Sequence, residues 1–185
     1  MGHVETSQAN SSYRINLLIY IDTELLLAKF PNPIPHPDPK NAVGIGHEFG
    51  HMYVTGAVNP QLQGTGDLKF SANVGDTLAV YGTSSSNNFD DAVLIYDMSP
   101  FGGTKVLSDF TNYQYSRKAP VPQGLTSAMP ANFVEQDFWF YEARVTNPGT
   151  EQYKVCFGLY TRGRDGQLSL HGYFGWDPTI TVAKQ

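Results

Sequence analysis

The segment His47-Glu48-Phe49-Gly50-His51 carries the spacing H-E-x-x-H. On a helix, positions i and i+4 share one face, so two imidazoles can converge on a zinc ion while the glutamate serves as general base. The surroundings argue against that helix. Gly44, Gly46, Gly50 and Gly56 flank or interrupt the motif, and each costs a helix interior about 1 kcal/mol. Met52-Tyr53-Val54-Thr55 then continues as a strand would. On a strand the two histidines share a face but stand about 13 Å apart, too far for one ion. The third histidine of the longer zinc signature is missing, with Ala57 in its place. His47 and His51 remain metal candidates of low priority, and a zinc hydrolase is the enzymatic rival rather than the leading reading.

A second chemistry-bearing stretch is Ser84-Ser-Ser-Asn87-Asn88-Phe89-Asp90-Asp91. Clustered Asn and Asp oxygens on a loop are what a calcium ion or sugar hydroxyls need. The plainer reading is a turn, since Asn and Asp are standard turn formers. Tyr113, Tyr115, Tyr173 and Trp176 are rings on which a sugar could stack, although most aromatics of a sandwich belong to its core. The candidate ligand site is therefore Asn87, Asn88, Asp90, Asp91 and Trp176, with no catalytic residue assigned. Other templates fail. Gly44-Ile-Gly46 followed by Gly50 is off by one from the dinucleotide fingerprint, and there is neither a G-x-S-x-G elbow nor a Walker loop. Cys156 sits among core-forming residues and reads as a buried, inert thiol.

Strands must position these residues. Period-two apolar rows recur at Ile15-Leu17-Ile19-Ile21, Leu68-Phe70-Ala72-Val74, Leu78-Val80, Ala92-Leu94-Tyr96 and Tyr153-Val155-Phe157-Leu159. Phe138 to Tyr141 and Thr179 to Ala183 add two more strands. Asn73-Val-Gly75-Asp76 fits a hairpin turn with Gly75 at positive φ. One short helix is expected, Glu24 to Lys29, capped by Asp22 or Thr23 and stopped by Pro31. Pro31, Pro33, Pro35, Pro37 and Pro39 cannot join a ladder and read as a rigid crossover between sheets. Residues Ser116 to Asn132 read as a long loop. The expected fold is all-β: a single-domain antiparallel β-sandwich, jelly-roll or Ig-like, over residues 13–185. Residues 1–12 read as a disordered or cloning-derived terminus.

Composition narrows the function classes. The chain has 185 residues, 18 glycines and 12 prolines, with 41% hydrophobic and 13% aromatic residues, so it is a loop-rich chain with enough apolar mass for a core. Twelve basic against 17 acidic residues leave a net charge of −5, which disfavours a nucleic-acid binder. A single cysteine excludes an internal disulfide framework. No apolar run approaches membrane-spanning length, and the polar first residues lack the features of a secretory signal, so no membrane partner and a cytoplasmic location are expected.

Several segments together resemble the PixA/AidA inclusion-body protein family. They are Ile21-Asp-Thr-Glu-Leu-Leu-Leu-Ala-Lys-Phe-Pro-Asn-Pro33, Asn73-Val-Gly-Asp-Thr77, Tyr81-Gly-Thr-Ser84 with Asp90-Asp-Ala-Val93, and Gly172-Tyr-Phe-Gly-Trp-Asp-Pro-Thr-Ile180. The resemblance runs from about Ile15 to Val182. It implies a small bacterial protein, in some relatives accumulated as cytoplasmic inclusions and in others produced under quorum-sensing or stress control in host-associated bacteria. It carries over no catalytic residues, and His47 to His51 depart from the family pattern. The expected function is thus non-enzymatic: binding, with a glycan as the compatible ligand, with or without calcium and with no other cofactor, or self-assembly as a homo-oligomer. A storage protein without any soluble ligand is the structural rival.

Overall fold

The computed structural model describes residues 12–185, so all but the last residue of the expected polar terminus lies outside the described residues. β1 (Arg14–Ile21) shows how the chain builds its core. Ile15, Leu17, Ile19 and Ile21 point inward and are essentially fully buried, while the residues between them are not. Asp22 then accepts the amide of Leu25 at 2.9 Å and starts α1 (Thr23–Lys29), which has one acidic residue in its first turn and Lys29 in its last. Leu26 is the helix residue that enters the core.

The Pro-rich stretch carries the chain from one sheet to the other, ending in a short 3₁₀ turn (Pro39–Asn41) before β2 (Val43–Gly44). It is tied down where Ile34 donates to the carbonyl of His171 at 2.7 Å and where the Tyr96 hydroxyl donates to the carbonyl of Pro39 at 2.8 Å. The remaining strands are β3 (Gly50–Thr55), β4 (Val58–Gln61), β5 (Leu68–Ala72), β6 (Thr77–Ser84), β7 (Asp91–Gly103), β8 (Thr111–Val121), β9 (Asn132–Arg144), β10 (Gly149–Arg162), β11 (Leu168–Trp176) and β12 (Thr179–Lys184).

Two open sheets face each other. The smaller has the order β3-β1-β6-β9-β8. The larger is organised on β10, with β7 along one edge and β11 then β12 along the other; β2 and β5 extend it, and β4 closes it. The all-β sandwich is as expected, but the sheets are mixed. β1 pairs in parallel with β6, β2 with β11, and β5 with β12. Parallel neighbours need crossovers, and the Pro-rich segment and the inter-sheet connections supply them.

Two sequence expectations change. Gly75 does adopt positive φ (98°), but Asn73–Asp76 joins β5 of the large sheet to β6 of the small one, so it is a corner between sheets and not a hairpin. Asp76, nearly fully buried, fixes that corner by accepting the amides of Tyr13 at 2.9 Å and Asn73 at 2.8 Å. The segment Ser116 to Asn132 is not one loop. Strand structure runs to Val121 and resumes at Asn132, leaving only 122–131 as the connection.

Both sheets contribute to one core, which includes Leu17, Phe70, Leu78, Phe157, Phe174 and Trp176. Glu151 is buried and its carboxylate accepts from three donors: the amides of Val106 and Leu107, at 2.8 and 3.2 Å, and the Tyr153 hydroxyl. Burial pushes the Tyr153 phenol far above its ordinary range, so it stays a neutral donor. Among the described residues, no buried side-chain polar atom lacks a partner.

Candidate functional site

The H-E-F-G-H residues do not form a helix. His47 and Glu48 occupy a turn, Phe49 is buried, and Gly50 and His51 begin β3. The four glycines and the β-prone residues that follow explain this outcome. His47 is held between two carboxylates, with Nδ1 3.3 Å from Asp67 and Nε2 3.2 Å from Asp177. Asp67 also accepts the Thr179 amide at 2.7 Å, so His47 helps to close the turn between β11 and β12. His51 lies elsewhere, with Nδ1 3.0 Å from the Gly64 carbonyl and its ring against Tyr20. Glu48 reaches Lys29 on α1 at 3.8 Å. Each residue of the motif is committed to a separate structural contact. Among the described residues, no group of three or more His, Cys, Asp or Glu side chains is placed to hold a metal.

The loop from Ser84 to Asp91 uses most of its oxygens on itself. Asn88 Oδ1 accepts the amides of Ser84 and Val93, both at 3.0 Å, and Asn87 Oδ1 accepts the Thr83 hydroxyl at 3.3 Å. Both asparagines sit at positive φ, 55° and 60°, which their short polar side chains tolerate. Ser86 Oγ accepts the amides of Asp90 and Asp91. Partial burial and the neighbouring Asp90 push the Asp91 carboxyl above its ordinary range. The arrangement is that of a self-bonded turn, with the two carboxylates as the groups left for a ligand.

Trp176 does not join that loop. It is 2% exposed, packs edge-on against Phe157, and directs its indole N–H at the Gly66 carbonyl. On β10 it stands opposite Val155, whereas Asp91 stands opposite Thr161. Six positions along a strand are roughly 20 Å. Gly50 is what lets the indole lie flat here, since a Cβ at that position would fall 2.9 Å from the ring.

The other aromatics divide between the sheets. Tyr173 meets Tyr96 edge-on on the large sheet. Nearby, Ala42, Gly44, Ile45, Phe101, Lys154 and Asp177 line much of an open groove of about 450 Å³, and Phe101 is 58% exposed. Tyr113 and Tyr115 lie on the small sheet and stack with Phe140 at 5.8 and 6.0 Å. Tyr81 adds a fourth ring at 5.4 Å from Phe140. Arg14 lies 4.8 Å from the centre of Phe140 and pairs with Glu142, while Arg117 lies 5.0 Å from Tyr115. Tyr81 appears in the sequence only as the start of a family-resemblance segment and Phe140 only within an expected strand; the cross-strand register brings them together with Arg14.

These rings sit at the root of a long β-arm. β8 and β9 pair over eleven residues without a register shift, from Thr111↔Glu142 to Val121↔Asn132. β6 pairs β9 only from Tyr141 to Arg144, so beyond Tyr141 the arm has two strands alone. The second sheet does not close over it either, and a cleft of about 360 Å³ separates Asn112, Gln114, Asp137 and Trp139 from Leu94 and Tyr96 on β7. Phe133 (66% exposed), Val134, Phe138 and Tyr115 are exposed along the arm. These side chains lie on the surface of the arm, outside the core.

Residues 13–182 match the model of a family described as PixA, inclusion body protein. The chain belongs to the PixA inclusion body protein family. A solved PixA inclusion body protein from Burkholderia cenocepacia J2315 is similar to it, with 29% identity and a TM-score of 0.80. The likeness covers 95% of this chain and 99% of that one, so it extends to the arm as well as the sandwich. No curated protein matches the chain. Among the described residues, no helix is long and apolar enough to cross a membrane.

Proposed function

We propose that this PixA-family chain is a non-catalytic protein that works by associating with copies of itself, in keeping with the inclusion-body description of its family. The observation that carries the reading is the β-arm, whose exposed Phe133, Val134 and Phe138 fill no part of the core. The polar clusters that could have suggested catalysis are engaged in holding turns closed, as His47 is between Asp67 and Asp177. Accumulation in cytoplasmic inclusions is the cellular counterpart of this reading.

Sedimentation velocity of the untagged chain over a hundredfold concentration range tests it. The weight-average mass is expected to rise with concentration, without added metal. A mass that stays at one chain throughout would reject self-association.

Glycan binding is a second reading, supported by the groove beside Phe101. An exposed ring with Lys154 and Asp177 at its margin offers one stacking surface and both hydrogen-bonding polarities. A glycan array separates two possible sites on the molecule. Binding lost in Phe101→Ala would place the sugar in the groove; binding lost in the Asp90→Ala, Asp91→Ala double variant would place it, with or without calcium, on the loop.

A further inference from the structure

A sandwich has strand edges, and proteins that remain apart protect them. Among the described residues, the edges at β3, β4, β2 and β7 carry such protection, and the outer edge of β8 does not. Along β3, Met52 exchanges backbone bonds with Gly64 and Thr65, at 2.8 and 2.9 Å. The Gln63 side chain then both donates to and accepts from Val54, at 2.7 Å each. β4 has four residues, contains Pro60, and has Asn59 and the adjoining Leu62 at positive φ. β2 has only two residues. β7 is long, but its pairing with β10 shifts register twice and it contains Pro100. β8 has none of these devices between Thr111 and Ala119. It is straight in register, and Pro120 lies beyond that stretch.

We propose that the outer edge of β8 is where a second copy of this chain pairs, antiparallel and about a two-fold axis at Tyr115. The inference rests on the self-association reading and names its interface. Two five-stranded sheets would become one of ten strands. Same-face pairing about a two-fold axis requires an even sum of partner numbers, and centring on Tyr115 uses residues 111–119 while leaving Pro120 outside the ladder. An axis at Ser116 would set Pro120 opposite Asn112. The antiparallel direction also sends the two sandwich bodies to opposite ends of the paired arms.

Charge selects the same edge. Arg117 and Lys118 are the charged residues of β8, and this register sets them opposite Tyr113 and Asn112 of the other copy. The basic end of each β8 then meets no basic residue of the other copy's β8. Arg117 already lies over a tyrosine ring of its own strand, so a second tyrosine is a compatible neighbour. The free edge of β9 fares worse in the same arrangement. Centred on Gln136, it would oppose Glu135 to Asp137, a like-charge pair in direct cross-strand contact. Pairing β8 also makes the exposed Tyr115 and Phe138 rings continuous with those of the second copy.

Cysteine scanning of the full chain tests the interface. Paired residues at a two-fold axis have Cα atoms about 4.5–5.5 Å apart, within disulfide range. Each step away from the axis separates a residue from its own copy by about 7 Å, so positions 111 and 119 would be roughly 27 Å from themselves. Tyr115→Cys is expected to give at least tenfold more covalent dimer on mild oxidation than Thr111→Cys or Ala119→Cys. The sole native thiol, Cys156, is buried and supplies the background. Sedimentation of each reduced variant keeps the outcomes apart. Association without disulfide at any β8 position would overturn the β8 interface while leaving self-association standing. A monomer at every concentration would remove both.

Discussion

The sandwich body and the β-arm are built from the same strand-forming residues and differ in what lies across from them. On β10 the second sheet covers Tyr153, Val155, Phe157 and Leu159, and none is more than 1% exposed. On β9 the ribbon from Asn132 to Phe138 has no second sheet, and its burial pattern loses all alternation. An aromatic side chain that the opposing sheet covers is therefore a stability residue, while one on the uncovered arm is available for contact. Burial is set by the opposing layer and not by the strand that carries the residue.

The largest effect expected is in the body. Phe157→Ala removes a ring buried between Phe174 and Trp176 and should cost about 3–5 kcal/mol of unfolding free energy in a denaturant titration. A loss below about 1 kcal/mol would mean that the two sheets are not packed as described. Next is Glu151→Gln, which keeps one oxygen for the amides of Val106 and Leu107 and the Tyr153 hydroxyl but removes the charge that strengthens those bonds. About 1–3 kcal/mol should be lost. The arm should respond in the opposite way. Phe138→Ser, which removes the ring beside Tyr115, is expected to change stability by less than about 0.5 kcal/mol, as exposed positions do, while lowering the apparent association constant. A Phe138→Ser protein that unfolds easily yet associates normally would reverse the roles assigned to the two regions.

The smallest effect is at the loop between β6 and β7. Asp91 has a raised carboxyl pKa in the folded chain, so ionising it opposes folding. Its contribution is least unfavourable in acid and becomes a penalty as pH rises through the carboxylate range. Asp91→Asn should therefore raise the melting temperature slightly at neutral pH, and the gain should shrink towards pH 3. A gain that instead grew in acid would contradict the assigned desolvation.

Much of the body was legible in the sequence, because a residue facing a core leaves a period of two. The rows at Ile15, Leu78 and Tyr153 became β1, β6 and β10 for that reason, and Asp22 announced its helix through the capping rule. The arm was not legible beyond Tyr115 for the same physical reason. With both faces in solvent, Ser116 to Val121 and Asn132 to Asp137 have no apolar period, and their Pro, Ser and Lys resemble a loop. The Asn73–Asp76 turn was visible as a turn, but which sheet its flanking strands join depends on distant partners. The same holds for the candidate ligand residues. Asn87 to Asp91 are neighbours in sequence and stay together, whereas Trp176 belongs to the core at a different level of β10. His47 and His51 fit a chemical pattern that needs a helix, and their glycine-rich context directed the chain to a turn and a strand instead.

The central claim, that the arm is an interface while the body holds the fold, is tested most directly by hydrogen exchange at low and high protein concentration. Amides on the outer edge of β8 between Thr111 and Ala119 should gain protection at high concentration, while those of β3, already capped by Gln63 and Gly64, should not change. Concentration-dependent protection along β3 or β7, with β8 unchanged, would contradict the account.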